Sequence, residues 1–386
     1  MSQLLNERWS ETKEALLEGL QGTRRASMNV CLENTRRYLA ESATSGATSA
    51  GNIATLNRVI LPVIRRVMPT VIANEIVGVQ PMTGPVAQIH TLRVRYADNG
   101  NNVVAGEEAL SPFKIAAAYS GNDQDSNPKA NSTAALEGTP GRKMSIQILK
   151  APVEAKSRKL SARWTFEAAQ DAQAQQGIDI EAEIMAALAQ EITTEIDQEI
   201  LASLRALANV EETYDQSLVS GTATFVGDEH AALAIQINRV ANLIAQRTRR
   251  GAGNWAVVSN QALTILQSAT TSAFARTTEG TFEAPTNTKY VGTLNGAMRI
   301  YVNAYANDST SVLVGYKGSS EADAAAFYCP YIPLMSSGVV LDPNTFEPVV
   351  GFMTRYGYVE LTNTASSLGN AGDYLSEISI ANLSFQ

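Results

Sequence analysis

The sequence predicts an α+β fold, with helices and mainly antiparallel strands gathered in separate blocks. Three observations carry that expectation. Apolar residues recur every four positions from Ile180 to Leu204, the stretch "AQIHTLRVRYA" alternates along its length, and the chain from Asn254 onward breaks into short apolar runs.

Taken in order, Met1 to Glu41 mixes both charge signs, including the pairs Arg24/Arg25 and Arg36/Arg37, and is expected to be an amphipathic helical leader. "SATSGATSAGN" (Ser42 to Asn52) is small, polar and Gly-containing, which predicts a flexible linker. Ile60, Val63, Ile64, Val67, Val71 and Ile72 follow at helical spacing, but Pro62 and Pro69 split them into two short helical pieces. After the turn "QPMTGP", Ile89, Thr91, Arg93 and Arg95 alternate with His90, Leu92, Val94 and Tyr96, the pattern of a strand. A second strand region, "KMSIQILKAPVEAKSRKLSARWT", lies beyond the polar segment from Asp98 to Arg142. Two strands flanking so long a polar stretch predict a protruding hairpin or arm.

The strongest helix, "GIDIEAEIMAALAQEITTEIDQEILASLRALA", has Asp179 as its N-cap and Glu181 and Glu183 in its first turn. Four residues overshoot one turn by about 40°, so its apolar stripe winds round the helix and meets different neighbours along a spine. A second helix begins at Asp228 and ends at Arg247, Arg249, Arg250 and Gly251, acid at the start and cations at the end. Strands are expected in "WAVVS", "RIYVNAY", "SVLVGYK", "AAFYCPYIPLM" and "EPVVGFMTRYGYVEL", with a flexible stretch from Thr277 to Thr288.

Composition narrows the function. With 38 acidic against 30 basic residues the net charge is -8, which argues against an electrostatic grip on nucleic acid. Cys31 and Cys329 fit free thiols in a reducing compartment. The N-terminus lacks a signal-peptide core, and the longest apolar run is broken by Arg65 and Arg66, short of the roughly 20 residues a membrane span needs. A cytoplasmic protein with no membrane partner is expected.

Catalytic patterns are missing. His90 and His230 stand without HExxH or CxxC partners, so no metal or cofactor is expected and both histidines read as structural. "GTPGRK" lacks the spacing of a phosphate loop, and "RRGAGNW" reads as a helix cap and turn. The "TRRG" cations read as complements to the helix C-terminus. Glu181, Glu183, Glu191, Glu195, Asp197 and Glu199 read as a solvated or inter-subunit face, not a paired-carboxylate site.

The segment "IANEIVGVQPMTGPVAQIHTLRVRY" (Ile72 to Tyr96) resembles a signature of the major capsid proteins of T-even-type tailed phages. "VEAKSRKLSARWTFEAAQD", "RRGAGNW", "VGYKG", "YCPYIPL" and "FEPVVGFMTRYG" resemble later blocks of that family in the same order. The resemblance runs from Ser42 to Tyr358 and departs in the loop from Asn99 to Gly141 and after Thr362. It implies the Hong Kong 97-type capsid fold. Residues 1–41 would be a leader, propeptide or scaffold-like segment, 42–95 the N-terminal arm and loop root, and 96–152 the extended E-loop. Residues 153–250 would form the peripheral domain with its spine helix, 251–321 the axial domain, and 322–386 peripheral strands with a C-terminal extension.

The implied function is self-assembly into hexameric capsomers, with the same chain as a candidate for the pentamers, on an icosahedral lattice that encloses double-stranded DNA without specific contact. The implied partners are scaffold, portal, vertex, decoration and prohead protease proteins. The protease of that family cuts after Glu in a Leu/Ile-x-Glu pattern, and Leu39-Ala40-Glu41 followed by Ser42 is the candidate here, ahead of Leu16-Leu17-Glu18 and Leu5-Asn6-Glu7. A non-viral nanocompartment shell of the same fold is the alternative, and a cytoplasmic enzyme the reading from a different class.

Overall fold

The structure is a computed structural model. It describes residues 20–45 and 71–382, with interruptions at 21, 101–102, 108, 110–117, 122–128, 139, 177–178, 220–225, 249, 270–273, 277–288, 304–310, 320–322, 346 and 362–369, together with residues 9, 13–14 and 16–17. Gly46 to Asn52, most of the expected linker, and residues 60–70 of the two expected helical pieces lie outside the described residues.

The main elements are helices α1 (Gly22–Ser45), α2 (Phe166–Gln176), α3 (Ile180–Leu207), α4 (Val226–Thr248) and α5 (Asn260–Ser268). The early strands are β1 (Gly78–Val79), β2 (Val86–Tyr96), β3 (Met144–Glu154), β4 (Lys156–Arg163) and β5 (Asn209–Asp215). The later ones are β6 (Trp255–Val258), β7 (Phe274–Arg276), β8 (Lys289–Leu294), β9 (Met298–Val302), β10 (Ser311–Gly315), β11 (Ala326–Leu341), β12 (Pro348–Glu360) and β13 (Leu375–Ala381). The chain divides into two compact units, one of Met1–Ala87, Pro152–Leu201 and Phe327–Val359, the other of Gln88–Ala151, Ala202–Ala326 and Glu360–Gln386.

The first unit is built on a four-stranded sheet in the order β1-β11-β12-β4. β4 runs antiparallel to β12 from Val349 opposite Arg163 to Tyr356 opposite Lys156. β1 is parallel to β11, and the ladder continues as Gln80 N–H donates to Tyr328 O at 3.0 Å and Met82 N–H to Pro330 O at 3.0 Å. Phe327, Tyr328 and Cys329 are consecutive and all buried, so both faces of β11 are covered at its start, while on β12 burial alternates, with Val350 and Phe352 buried.

In α3, Leu188, Ile192, Ile196, Ile200 and Leu204 are buried as the four-residue recurrence predicts. Asp179 caps it, its carboxylate accepting from Glu181 N–H at 3.1 Å. A second column, Met185, Ala189, Thr193, Asp197 and Leu201, is buried beside the first. Helix α1 lays one face into the same unit. Met28, Cys31 and Leu32 are buried on it, and Gly22, its first residue, adopts φ +62°, a turn that a residue without Cβ makes freely. Ahead of that turn, Lys13 pairs with Glu33 at 2.7 Å and Leu16 and Leu17 are buried.

The second unit holds a seven-stranded mixed sheet in the order β5-β13-β10-β6-β9-β8-β7. One core joins it to α4 and α5 through Leu233, Ile237, Val240, Ile244, Ile265, Val258, Ile300, Val312 and Ile378. Gly315 lies opposite Trp255, where an added Cβ would stand 2.1 Å from the indole ring, so only glycine lets the strands pair there. β13, in the sequence's C-terminal extension, sits between β10 and β5 and pairs Ser379 with Ser311.

Also in this unit, β2 and β3 form a two-stranded sheet. Beside it Tyr96, Val103, Ala109 and Tyr119 make a small core of their own. The Tyr96 and Tyr119 rings lie 4.7 Å apart, and the Tyr119 hydroxyl donates to Lys143 O at 2.8 Å.

Three local expectations need correction. α4 starts at Val226, two residues before Asp228. The stretch after "WAVVS" is not all strand, because α5 follows, capped by the Ser259 hydroxyl accepting from Ala262 N–H at 3.2 Å. In the "TRRG" cluster Arg250 complements a carboxylate, pairing with Asp323 at 2.7 Å, and Arg247 just ahead of the cluster pairs with Glu211.

Candidate assembly surfaces

Along β3, Met144, Ile146 and Ile148 alternate with Ser145 and Gln147, so the three long apolar side chains share one face. They are 51, 69 and 60% exposed. Among the described residues no second layer covers the stripe, and exposed apolar patches are where partner molecules commonly dock.

A second patch, Val339, Val340 and Leu341, is exposed near the tip of the β11–β12 hairpin. Its bend is set by Gly338 at φ +71° and by the Asp342 carboxylate, which accepts from Asn344 N–H at 3.0 Å. Single apolar residues stand out elsewhere: Val210 on β5, an edge strand of the seven-stranded sheet, and Ile235 on α4.

Titratable groups are arranged for structure. Arg158 on β4 donates to Glu195 at 2.7 Å and also pairs with Glu199, which the Tyr356 hydroxyl bonds as well. Both carboxylates remain exposed, 44 and 42%, on the solvated face expected of them, while a strand of the same chain pairs with them. Asp197 departs from that expectation. It is 1% exposed, and its Oδ1 accepts from Ile72 N–H at 2.9 Å while Oδ2 has no partner among the described residues. Burial pushes its pKa up to about 7, the Ile72 bond pulling the other way.

His90 is exposed on β2. His230 is buried with Nδ1 2.5 Å from Ser268 Oγ, and burial holds its pKa below the usual imidazole range against the pull of Glu229. Cys31 and Cys329 are free and buried, each thiol pushed up to about 12 by burial. Among the described residues no group of His, Cys, Asp and Glu is placed to hold a metal ion, and no helix is long and apolar enough to cross a membrane.

The candidate cut residues Leu39, Ala40, Glu41 and Ser42 lie in the C-terminal part of α1, whose main chain stays helical to Ser45. Sequence reasoning did not single out the β3 stripe or the hairpin patch. The stripe's signal was nonetheless present, since "MSIQI" alternates apolar with polar residues.

The family model of the major capsid protein Gp23 matches residues 53–136 and 123–380. The chain belongs to the Gp23 major capsid protein family. The two matched segments overlap at 123–136, inside the loop where the sequence departs from the pattern of this family. Gp23-type relatives include the major capsid protein of Vibrio phage KVP40, 29% identical over 86% of this chain and 81% of the relative. That of Enterobacteria phage T4 is 28% identical over 83% of this chain and 78% of the relative. Among solved structures, the capsid of the cyanophage P-SCSP1u matches with a TM-score of 0.48 at 12% identity, covering 81% of this chain and 89% of that one. The capsid of phage XM1 matches with 0.43 at 10% identity, over 79% and 89%.

The fold is α+β, and the chain is a major capsid protein of a tailed phage, a structural component of the virion shell. Nothing in these relatives favours the nanocompartment alternative.

Proposed function

We propose that this chain forms hexameric capsomers that close into an icosahedral shell around double-stranded DNA in the bacterial host cytoplasm. Scaffold and portal proteins guide the assembly, and vertex or decoration proteins of the same phage complete it. The arm and the E-loop, the β2–β3 ribbon with its connecting segment, lie on neighbouring copies. A prohead protease cuts after Glu41. The net charge of -8 suits a wall that faces packaged DNA without trapping it.

The single observation that carries this reading is the bare stripe Met144, Ile146 and Ile148 in a member of a capsid family. Exposed in one chain, the stripe finds cover in a lattice, where modest interfaces repeated by symmetry add up. The double variant Ile146→Asp with Ile148→Asp tests it by sedimentation velocity. The expected result is a folded chain that stays as subunits or single capsomers, because charges replace the apolar contact. Full-size shells at wild-type yield would overturn the role of the ribbon.

A further inference from the structure

We infer that the outward face of β4, carried by Lys159 and Arg163, is a cationic docking surface for a second copy of this chain, and that it receives the acids Glu183 and Glu191 of that copy's α3. The inference deepens the lattice reading above and rests on it.

β4 is the last strand of the four-stranded sheet, bonded to β12 on one side, and it carries cations on both of its faces. Arg158, Leu160 and Ala162 are half-buried, while Ser157, Lys159, Ser161 and Arg163 alternate with them and are exposed. The half-buried face meets α3. There Arg158 donates to Glu195 at 2.7 Å and pairs with Glu199, whose charge Lys156 also favours. The exposed face has no such partner among the described residues. Arg163 is 70% exposed and only approaches Glu347, at 3.7 Å, and Lys159 lies opposite Met353.

The complement is on α3. Glu183, Glu191, Glu195 and Glu199 stand at multiples of four residues, with Ala187 filling the one gap, so they form a single acidic stripe. Like charges at this spacing repel and weaken a helix unless cations lie beside them. Arg158 answers Glu195 and Glu199 at one end of the stripe. At the other end Glu183 and Glu191 are exposed, and no cation among the described residues pairs with them. Lys159 and Arg163 sit on the face of β4 turned away from their own α3, so a second copy must bring the two together. The spacings agree. Glu183 and Glu191 are eight residues apart on a helix, about 12 Å, and Lys159 and Arg163 four apart on a strand, about 13 Å. Different patches that meet in this way make a heterologous contact, the kind that closes rings. Each exposed pair is weak alone and counts through repetition.

The test compares full-length chains co-expressed with the neighbouring phage genes: wild type, Lys159→Glu with Arg163→Glu, Glu183→Lys with Glu191→Lys, and all four substitutions together. Sedimentation reads shell yield and circular dichroism reads folding. Each double variant is expected to lower the yield roughly tenfold or more, because like charges then meet across the contact. The quadruple variant is expected to recover it. Wild-type yield from either double variant overturns the inference, as does a quadruple variant no better than the doubles. Shells at normal yield that lose only their DNA would assign the cations to phosphate and overturn it too. A wild-type chain that never assembles sinks the lattice reading itself, and this inference with it. A second measurement needs no substitution. In wild-type shells built from mixed light and heavy-isotope chains, a carbodiimide joins a lysine amine to a carboxyl as an amide while the reagent takes up the water as a urea. Lys159 of one isotope is expected to link to Glu183 or Glu191 of the other, and Lys159 links confined to one isotope would overturn the inference.

Discussion

Asp197 is the residue whose surroundings matter most. Its unfolded-state value of 3.8 rises to about 7 in the fold because the carboxyl is buried beside Tyr328, with a single backbone donor from Ile72. The other groups around Tyr328, namely Tyr356, Cys31 and Cys329, are themselves raised by burial and stay neutral near pH 7. The folded state therefore binds a proton more readily than the unfolded one. Its stabilising effect is full below about pH 4, falls as pH rises toward 7, and is gone above that. Three units correspond to at most about 4 kcal/mol. Asp197→Asn keeps the acceptor for Ile72 and removes the charge, so its unfolding free energy from denaturant titrations should lose this fall between pH 4 and 7. Equal slopes in both proteins would contradict the assignment. The sequence placed Asp197 among surface acids because it follows Glu195 and precedes Glu199. Its burial was legible only from the second column, Met185, Ala189, Thr193 and Leu201, which runs beside the isoleucine stripe.

Among elements, α3 shows what periodicity reveals and what it omits. The recurrence of Ile192, Ile196 and Ile200 located the buried stripe, and Asp179 located the start. Ile196→Ala should cost about 2–5 kcal/mol by removing buried methylenes and leaving a cavity. A loss under about 1 kcal/mol in thermal or denaturant unfolding would show that the site is looser than its burial implies. Helix α5 escaped notice because its nine residues bury only Ala262, Ile265 and Leu266, too short a pattern to stand out from the strands around it. β2, β3 and β4 were readable because alternation is local. β13 was not, since its place between β10 and β5 depends on partners more than sixty residues away, such as Ser311 opposite Ser379 and Asp215 beside Ala381.

At the scale of the whole molecule, the capsid function was legible as an ordered series of blocks and as missing chemistry, and the family match now carries it. The surfaces that would do the assembling were harder to read, because one chain of a lattice shows its contacts only as uncovered apolar groups. Met144, Ile146 and Ile148 on the ribbon and Val339 to Leu341 on the hairpin are such groups. A shell needs no single strong contact, only repeated ones that close. Electron microscopy of the gently purified, concentrated full chain, co-expressed with its neighbouring phage genes, tests this most directly. Closed shells, tubes or hexameric rosettes are the predicted result. Dispersed monomers from a preparation that circular dichroism shows to be folded would contradict it.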